Sequence, residues 1–221
     1  METLSAFDVI GPVMIGPSSS HTAGALRIAT LARKIAKGSV ARVEFTLYGS
    51  FAETYRGHGT DRALVAGILG FGAGDARIRD SFAWAKKENV AFSFRVDAEK
   101  KIDHPNTVDI ALTRPDGKVI ALTGVSTGGG AAEIRRLNGV DLVITGEYNT
   151  ILVRQRDEPG VAAHVTRCLA EAGVNIAFMR LYREGKGRVA YTIVETDQTI
   201  DADVLRRILD YPSILGVTLI E

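Results

Sequence analysis

The chain has 221 residues, enough for one large domain or two small ones. Hydrophobic residues at 46% against charged residues at 24% are the proportions of a globular protein, and a net charge of +1 leaves no broad basic field for nucleic acid or an acidic membrane surface. No apolar run approaches the roughly 20 residues that span a bilayer, and a single cysteine, Cys168, rules out an internal disulfide and the several thiolates an iron–sulfur cluster needs.

The start, METLSAFDVIG, has neither a basic stretch nor a long apolar run, so it predicts no signal peptide and a cytoplasmic location. Next comes IGPSSSHTAG, residues 15–24, three serines in a row followed by His21 and Thr22. A helix is predicted over 22–37 from Leu26, Ile28, Ala29, Leu31 and Ile35, with Gly38 as its stop. Residues 40–49 alternate like a strand. Residues 57–72 read as a loop and then a short helix from about Thr60, ended by glycines. A helix over 77–88 and a strand over 90–96 follow. Residues 107–125 form a hairpin around Pro115-Asp116-Gly117, and 131–137 with 140–145 form another around Asn138-Gly139. Helices mixed with mostly hairpin-linked strands predict an α+β first domain over 1–146.

The pattern changes near Gly146. A strand in YNTILVRQRD, a helix in EPGVAAHVTRCLAEAG, a hairpin in VNIAFMRLYREGKGRVAYTIVET, a helix in DADVLRRILDY and a strand in SILGVTLIE give the order β-α-β-β-α-β. That is a ferredoxin-like unit over 148–221. Cys168 sits beside Leu169 in the predicted helix, as a small core residue does.

The polar residues of the first domain gather in a few turns. Ser18, Ser19, Ser20 and Thr22 flank a helix start, where unpaired N–H groups and a partial positive charge suit a carboxylate or phosphate. One hydroxyl suffices for a helix cap; four with His21 exceed that need. The segment lacks the Lys of a Walker loop and the G-x-S-x-G of a nucleophile elbow. In RGHGTDRA, His58 stands between glycines, Thr60 and Asp61 can cap the next helix, and Asp61 can orient a histidine. In DHPNTV, His104 precedes a proline and Asn106 follows it. VSTGGGAAE ends a strand with three glycines, a flexible bend or an amide-lined wall. The histidines are far apart in sequence, without H-x-x-x-H or H-E-x-x-H, so no metal site is predicted in this chain.

Taken together, GPSSSHTAG, GHGTDRALVAGILG, HPNTV and STGGG resemble the β chain of the bacterial iron–sulfur-dependent L-serine dehydratases. The resemblance covers essentially the whole chain. The first domain is similar to the allosteric substrate-binding-like module also found in some phosphoglycerate dehydrogenases. The second, with RDEPGVAAHV before its helix and AGVNIA at its second strand, resembles an ACT domain.

The resemblance implies a lyase of amino-acid metabolism and gluconeogenesis that converts L-serine to pyruvate and ammonia. Its [4Fe-4S] cluster is held by cysteines of a partner α subunit, so this chain is half of a heterodimer. It implies His21 and His58 as base and proton donor in unassigned order, with Asp61 orienting them. Ser18, Ser19, Ser20, Thr22, Thr60, His104 and Asn106 then form the substrate pocket. The same residues can make a regulatory serine site away from the cluster. In the ACT-like half, Gly160 and Asn175 mark an effector site, and Asp157 and Glu158 can contact an amino group. Self-association through sheet edges is the other role of such domains. A free-standing serine-binding regulatory protein without a catalytic partner is the alternative. An RNA-binding reading finds neither the aromatic motif nor the basic face it requires.

Overall fold

The structure, a computed structural model, describes residues 14–221; the reading of the chain's start lies outside them. The chain divides into two compact units, 1–138 and 139–221.

Among the described residues of the first unit, the first element is a π-helical turn, Ser19–Gly24, that runs directly into α1 (Ala25–Ala36). Leu26, Ile28, Ala29, Leu31, Ala32 and Ile35 bury the inner face of α1, following the 3.6-residue period. Strand β1 (Arg42–Tyr48) leads into α2 (Gly49–Thr54), a turn, and α3 (Thr60–Leu69). A 3-10 turn (Ala76–Asp80), α4 (Ser81–Lys87) and β2 (Ala91–Asp97) complete a crossover, so β2 pairs with β1 in parallel. The rest of the sheet is antiparallel: β3 (Thr107–Thr113), β4 (Val119–Gly128) and β5 (Ala131–Leu137) give the order β2-β1-β3-β4-β5. Val43, Phe45 and Leu47 alternate inward from β1, as a strand with one covered face requires.

Asn138 and Gly139 both have positive φ, the requirement of the two-residue hairpin turn. The second unit opens with β6 (Val140–Ile144). It continues as β7 (Asn149–Arg156), α5 (Val161–Glu171), β8 (Ile176–Arg183), β9 (Val189–Thr196), α6 (Ala202–Leu209) and β10 (Ile214–Ile220). Its antiparallel sheet has the order β10-β7-β9-β8, the ferredoxin-like arrangement. Ile151, Val153 and Val194 meet Val161, Val165, Cys168, Leu169, Val204 and Ile208 in one core. Among the described residues no helix is long and apolar enough to cross a membrane.

Candidate functional site

Three short segments of the first unit meet at His21. The Ser18 hydroxyl accepts the N–H of His21 at 3.2 Å and caps the π-helical turn, satisfying one of the donors a helix start leaves open. The Ser20 hydroxyl lies 2.9 Å from His21 Nδ1 and 3.3 Å from the Ser18 hydroxyl. From the other side, Ser50 at the start of α2 places Oγ 2.9 Å from His21 Nε2. Hydroxyls therefore hold both ring nitrogens. A neutral imidazole has one donor and one acceptor nitrogen, so one serine gives a proton to the bond and the other receives it.

The rings of Phe51 and His58 stand edge-on to His21, at centroid distances of 5.4 and 4.9 Å. The Thr22 hydroxyl donates to the His58 carbonyl at 3.0 Å and ties the π-helical turn to the turn before α3. Burial first, and the neighbouring His58 second, push the His21 imidazole below its ordinary value. His21 thus stays neutral at pH 7, the state in which it accepts a proton.

Motif reasoning misses Ser50. Its one signal is its place after Gly49 at the end of a strand. Gly49 has φ +50°, and a Cβ there would stand 2.7 Å from the Pro105 carbonyl. The turn therefore aims Ser50 at His21 and also brings the 104–107 loop against α2. In that loop His104 Nδ1 accepts the N–H of Asn106 at 3.2 Å, and the Thr107 hydroxyl donates to the His104 carbonyl at 2.5 Å. Burial, and next Arg135, lower the pKa of His104, against an opposing effect of Glu133. The Asn106 carbonyl accepts the N–H of Ser126 at 3.0 Å. Ser126, on β4, lies directly against the end of the π-helical turn: a Cβ on Gly24 would collide with its hydroxyl.

Among the described residues, four polar atoms of these motifs are buried without a hydrogen-bond partner: His58 Nδ1, Thr60 Oγ1, Asn106 Oδ1 and Ser126 Oγ. Each such atom costs about 1–3 kcal/mol. Four in adjoining segments are the pattern of a site that a ligand completes. Ser19 is half-buried in the same turn and Thr60 fully buried at the head of α3. Asp61 is engaged with the backbone: its Oδ1 accepts the N–H of Arg62 at 2.8 Å. Burial raises its pKa above the ordinary value, against the pull of that bond. The groups bonded to the His21 ring are the hydroxyls of Ser20 and Ser18 at Nδ1, the latter at 3.4 Å, and of Ser50 at Nε2, not Asp61.

In the second unit the Asp157 carboxylate accepts from Arg183 at 3.3 Å and from the N–H of Gly187 at 3.1 Å. Glu158 bonds the Ser213 hydroxyl at 2.5 Å. Gly160, with φ +94°, caps α5 beneath Tyr211, whose hydroxyl would lie 2.6 Å from a Cβ there. Asn175 donates its N–H to Gln198 at 3.2 Å. Cys168 is buried on α5 with Sγ 3.6 Å from His164 Nε2. With one buried thiol, and no group of three His, Cys, Asp or Glu side chains fit to hold a metal among the described residues, this chain's residues do not fit a [4Fe-4S] cluster.

Residues 5–135 match the family model described as serine dehydratase beta chain, and residues 149–212 match the ACT domain. A probable L-serine dehydratase beta chain from Bacillus subtilis (strain 168) is 43% identical over 218 residues, covering 99% of this chain and 98% of its own length. An L-serine dehydratase beta chain from Peptoniphilus asaccharolyticus is 41% identical over 209 residues, 95% of this chain and 94% of its own. A D-3-phosphoglycerate dehydrogenase from Bacillus subtilis (strain 168) is 23% identical over 137 residues, 62% of this chain and 26% of its own. By its near-full-length identity and its matched first unit, the chain belongs to the serine dehydratase beta chain family, with an ACT domain in its second unit.

Proposed function

We propose that this chain is the beta subunit of an L-serine dehydratase, active in the cytoplasm with a cysteine-bearing alpha subunit that holds the [4Fe-4S] cluster. Water leaves L-serine only with loss of a weakly acidic α-proton, which calls for a positioned base of suitable pKa. His21 fills that role. The observation that carries the reading is its imidazole, held at Nδ1 by Ser20 and at Nε2 by Ser50, beside four buried polar atoms that lack partners among the described residues. Substrate displaces one of the two hydroxyls and meets the freed nitrogen. The Ser18–Ser20 hydroxyls and the N–H groups of the π-helical turn receive its carboxylate. His21 takes the α-proton, and His58, edge-on to it, supplies a proton to the departing hydroxyl so that it leaves as water. Thr22, Thr60, His104 and Asn106 shape the wall.

The domains run over 1–146 and 148–221 in this reading, and the second associates with another copy through the edge strand β8, where Phe178 and Leu181 are each 46% exposed. The test compares the chain alone, reconstituted anaerobically with iron and sulfide, with the chain mixed with its cysteine-bearing partner. Pyruvate formation from L-serine is expected only in the mixture. Robust turnover by the chain alone overturns the half-enzyme reading. Serine binding to the chain with no turnover in the mixture replaces it with a regulatory one.

A further inference from the structure

In the first sheet β2 and β3 flank β1, so the connection between them, residues 98–106, has to cross the end of β1. It crosses on Gly49: a Cβ there would meet the Pro105 carbonyl at 2.7 Å and Ile102 Cδ1 at 3.1 Å. The next residue is Ser50, whose hydroxyl faces His21 Nε2. The far half of this strap is tied by its backbone, where the Asn106 carbonyl accepts the N–H of Ser126.

The near half is held by side chains. Lys100 Nζ donates to the Tyr48 hydroxyl at 3.2 Å, stands 4.5 Å from the centroid of that ring and lies 3.7 Å from Asp109 Oδ2. The Tyr48 hydroxyl in turn donates to Asp109 Oδ2 at 2.6 Å, and Thr123 donates to Oδ1 of the same carboxylate at 2.5 Å. One carboxylate on β3 therefore joins β1, β4 and the strap. Burial, and next the bond to Asp109, push the Tyr48 phenol well above its ordinary pKa, so it remains a donor near neutral pH. The Lys100 side chain is 51% exposed, where an ion pair adds little stability. Its contribution is placement: it sets where the strap lies on Gly49, and the strap confines the turn that presents Ser50.

We infer that Tyr48 and Lys100 are positioning residues for His21: with Asp109 they pin the 98–106 strap across the end of β1 and so hold the Ser50 hydroxyl on the His21 ring. The hydroxyls bonded to that ring belong to Ser18, Ser20 and Ser50, so Tyr48 and Lys100 act through Ser50. Their effect on turnover rests on the proposed role of His21; their effect on the ring itself does not.

The test assays pyruvate formation by the assembled enzyme and titrates the His21 ring by NMR in the full chain alone. Tyr48→Phe changes no charge near neutral pH, and Lys100→Met keeps the aliphatic stem. Each should lower kcat roughly tenfold, since a displacement of about 1 Å costs up to about a hundredfold, with a smaller change in KM. The double variant should lose no more than the worse single variant, because both remove the same pin. Lys100→Arg keeps the donor and should recover most of the rate; Lys101→Met, at the exposed neighbour, should leave it unchanged. In the free chain both variants should bring the His21 pKa up toward its ordinary value of 6.5 as water reaches the ring, and Lys100→Met should melt near the wild-type temperature. His58, the titratable group against that ring, is common to all variants. A wild-type His21 titration in both variants overturns the inference, whatever the turnover, and so does a multiplicative loss in the double variant. A shifted titration with unchanged kcat upholds the pin and overturns instead the catalytic role of His21. Should Tyr48→Phe unfold early, Lys100→Met still decides.

Discussion

The two units treat their buried polar atoms in opposite ways. The second buries Thr150, Gln155, Thr192, Glu195 and Thr196 and finds partners for each side chain: Thr192 donates to Gln155 at 3.0 Å, Arg180 reaches Glu195 at 3.0 Å, Thr150 bonds the Tyr148 carbonyl, and Thr196 bonds backbone carbonyls. The first leaves His58 Nδ1, Thr60 Oγ1, Asn106 Oδ1, Arg114 Nε and Ser126 Oγ buried without partners among the described residues, four of them in the motif-bearing turns. A satisfied network stabilises one arrangement of the chain. An unsatisfied one is tolerated where something else completes it. The contrast separates a unit whose buried polar side chains bond one another from a unit whose motif-bearing turns present polar atoms that the chain itself does not satisfy.

The largest expected effect strikes the first unit's chemistry. His21→Ala in the assembled enzyme should lower kcat by a factor on the order of 10²–10⁴, the usual contribution of general acid–base catalysis, while its melting temperature stays near wild type. A near-normal kcat in a fully loaded assembly would leave the His21 cluster with no catalytic part.

The next prediction sets the two units against each other with one chemical change. Thr192→Val strands the buried Gln155 oxygen and should cost about 1–3 kcal/mol in denaturant unfolding. Thr60→Val removes a buried hydroxyl that has no partner and should cost nothing or stabilise the free chain. Equal losses from the two variants would erase the comparison.

The smallest effect is in pH. Burial lowers the folded-state pKa of His21 and His104 below 6.5. The unfolded chain then binds protons before the folded one, so stability is full above about pH 6.5 and declines as pH falls through the folded values. Asp61, with its pKa raised, works in the opposite direction at lower pH. The melting temperature should fall between pH 7.5 and 5.5, less steeply in a His21→Gln, His104→Gln double variant. Identical slopes would remove the histidines from the acid response.

Much of the fold is legible where local chemistry decides it. Pro115-Asp116-Gly117 predicts a hairpin turn, and the N–H of Arg114 bonds the Lys118 carbonyl across it. The β-α-β-β-α-β order of the second half reads from alternating periods and their Gly and Asp punctuation. What escapes is set by distant contacts. The parallel pairing of β1 with β2 depends on a crossover of some forty residues, and nothing in either strand encodes it. Helix α2 has six residues, too few to show a period. Ser50 stands at its head, so the residue facing His21 Nε2 is hidden for the same reason. The predicted helix over 22–37 merges two geometries, because hydrophobic spacing does not distinguish a π turn from the α turns that follow it.

That π turn separates two demands placed on one helix. A π turn accommodates one residue more than an α turn, and one residue of an α-helix corresponds to about 100° of rotation. Downstream, Leu26, Ile28 and Ile35 lock α1 to the core; upstream, Ser18, Ser20 and His21 face Ser50 and the His58 turn. The extra residue acts as a phase shifter between an anchored shaft and a reading head. Core substitutions that would rotate α1 slightly need not turn the serines with it, and an insertion or deletion of one residue within 19–24 would re-aim the hydroxyls while leaving the core packing of α1 intact.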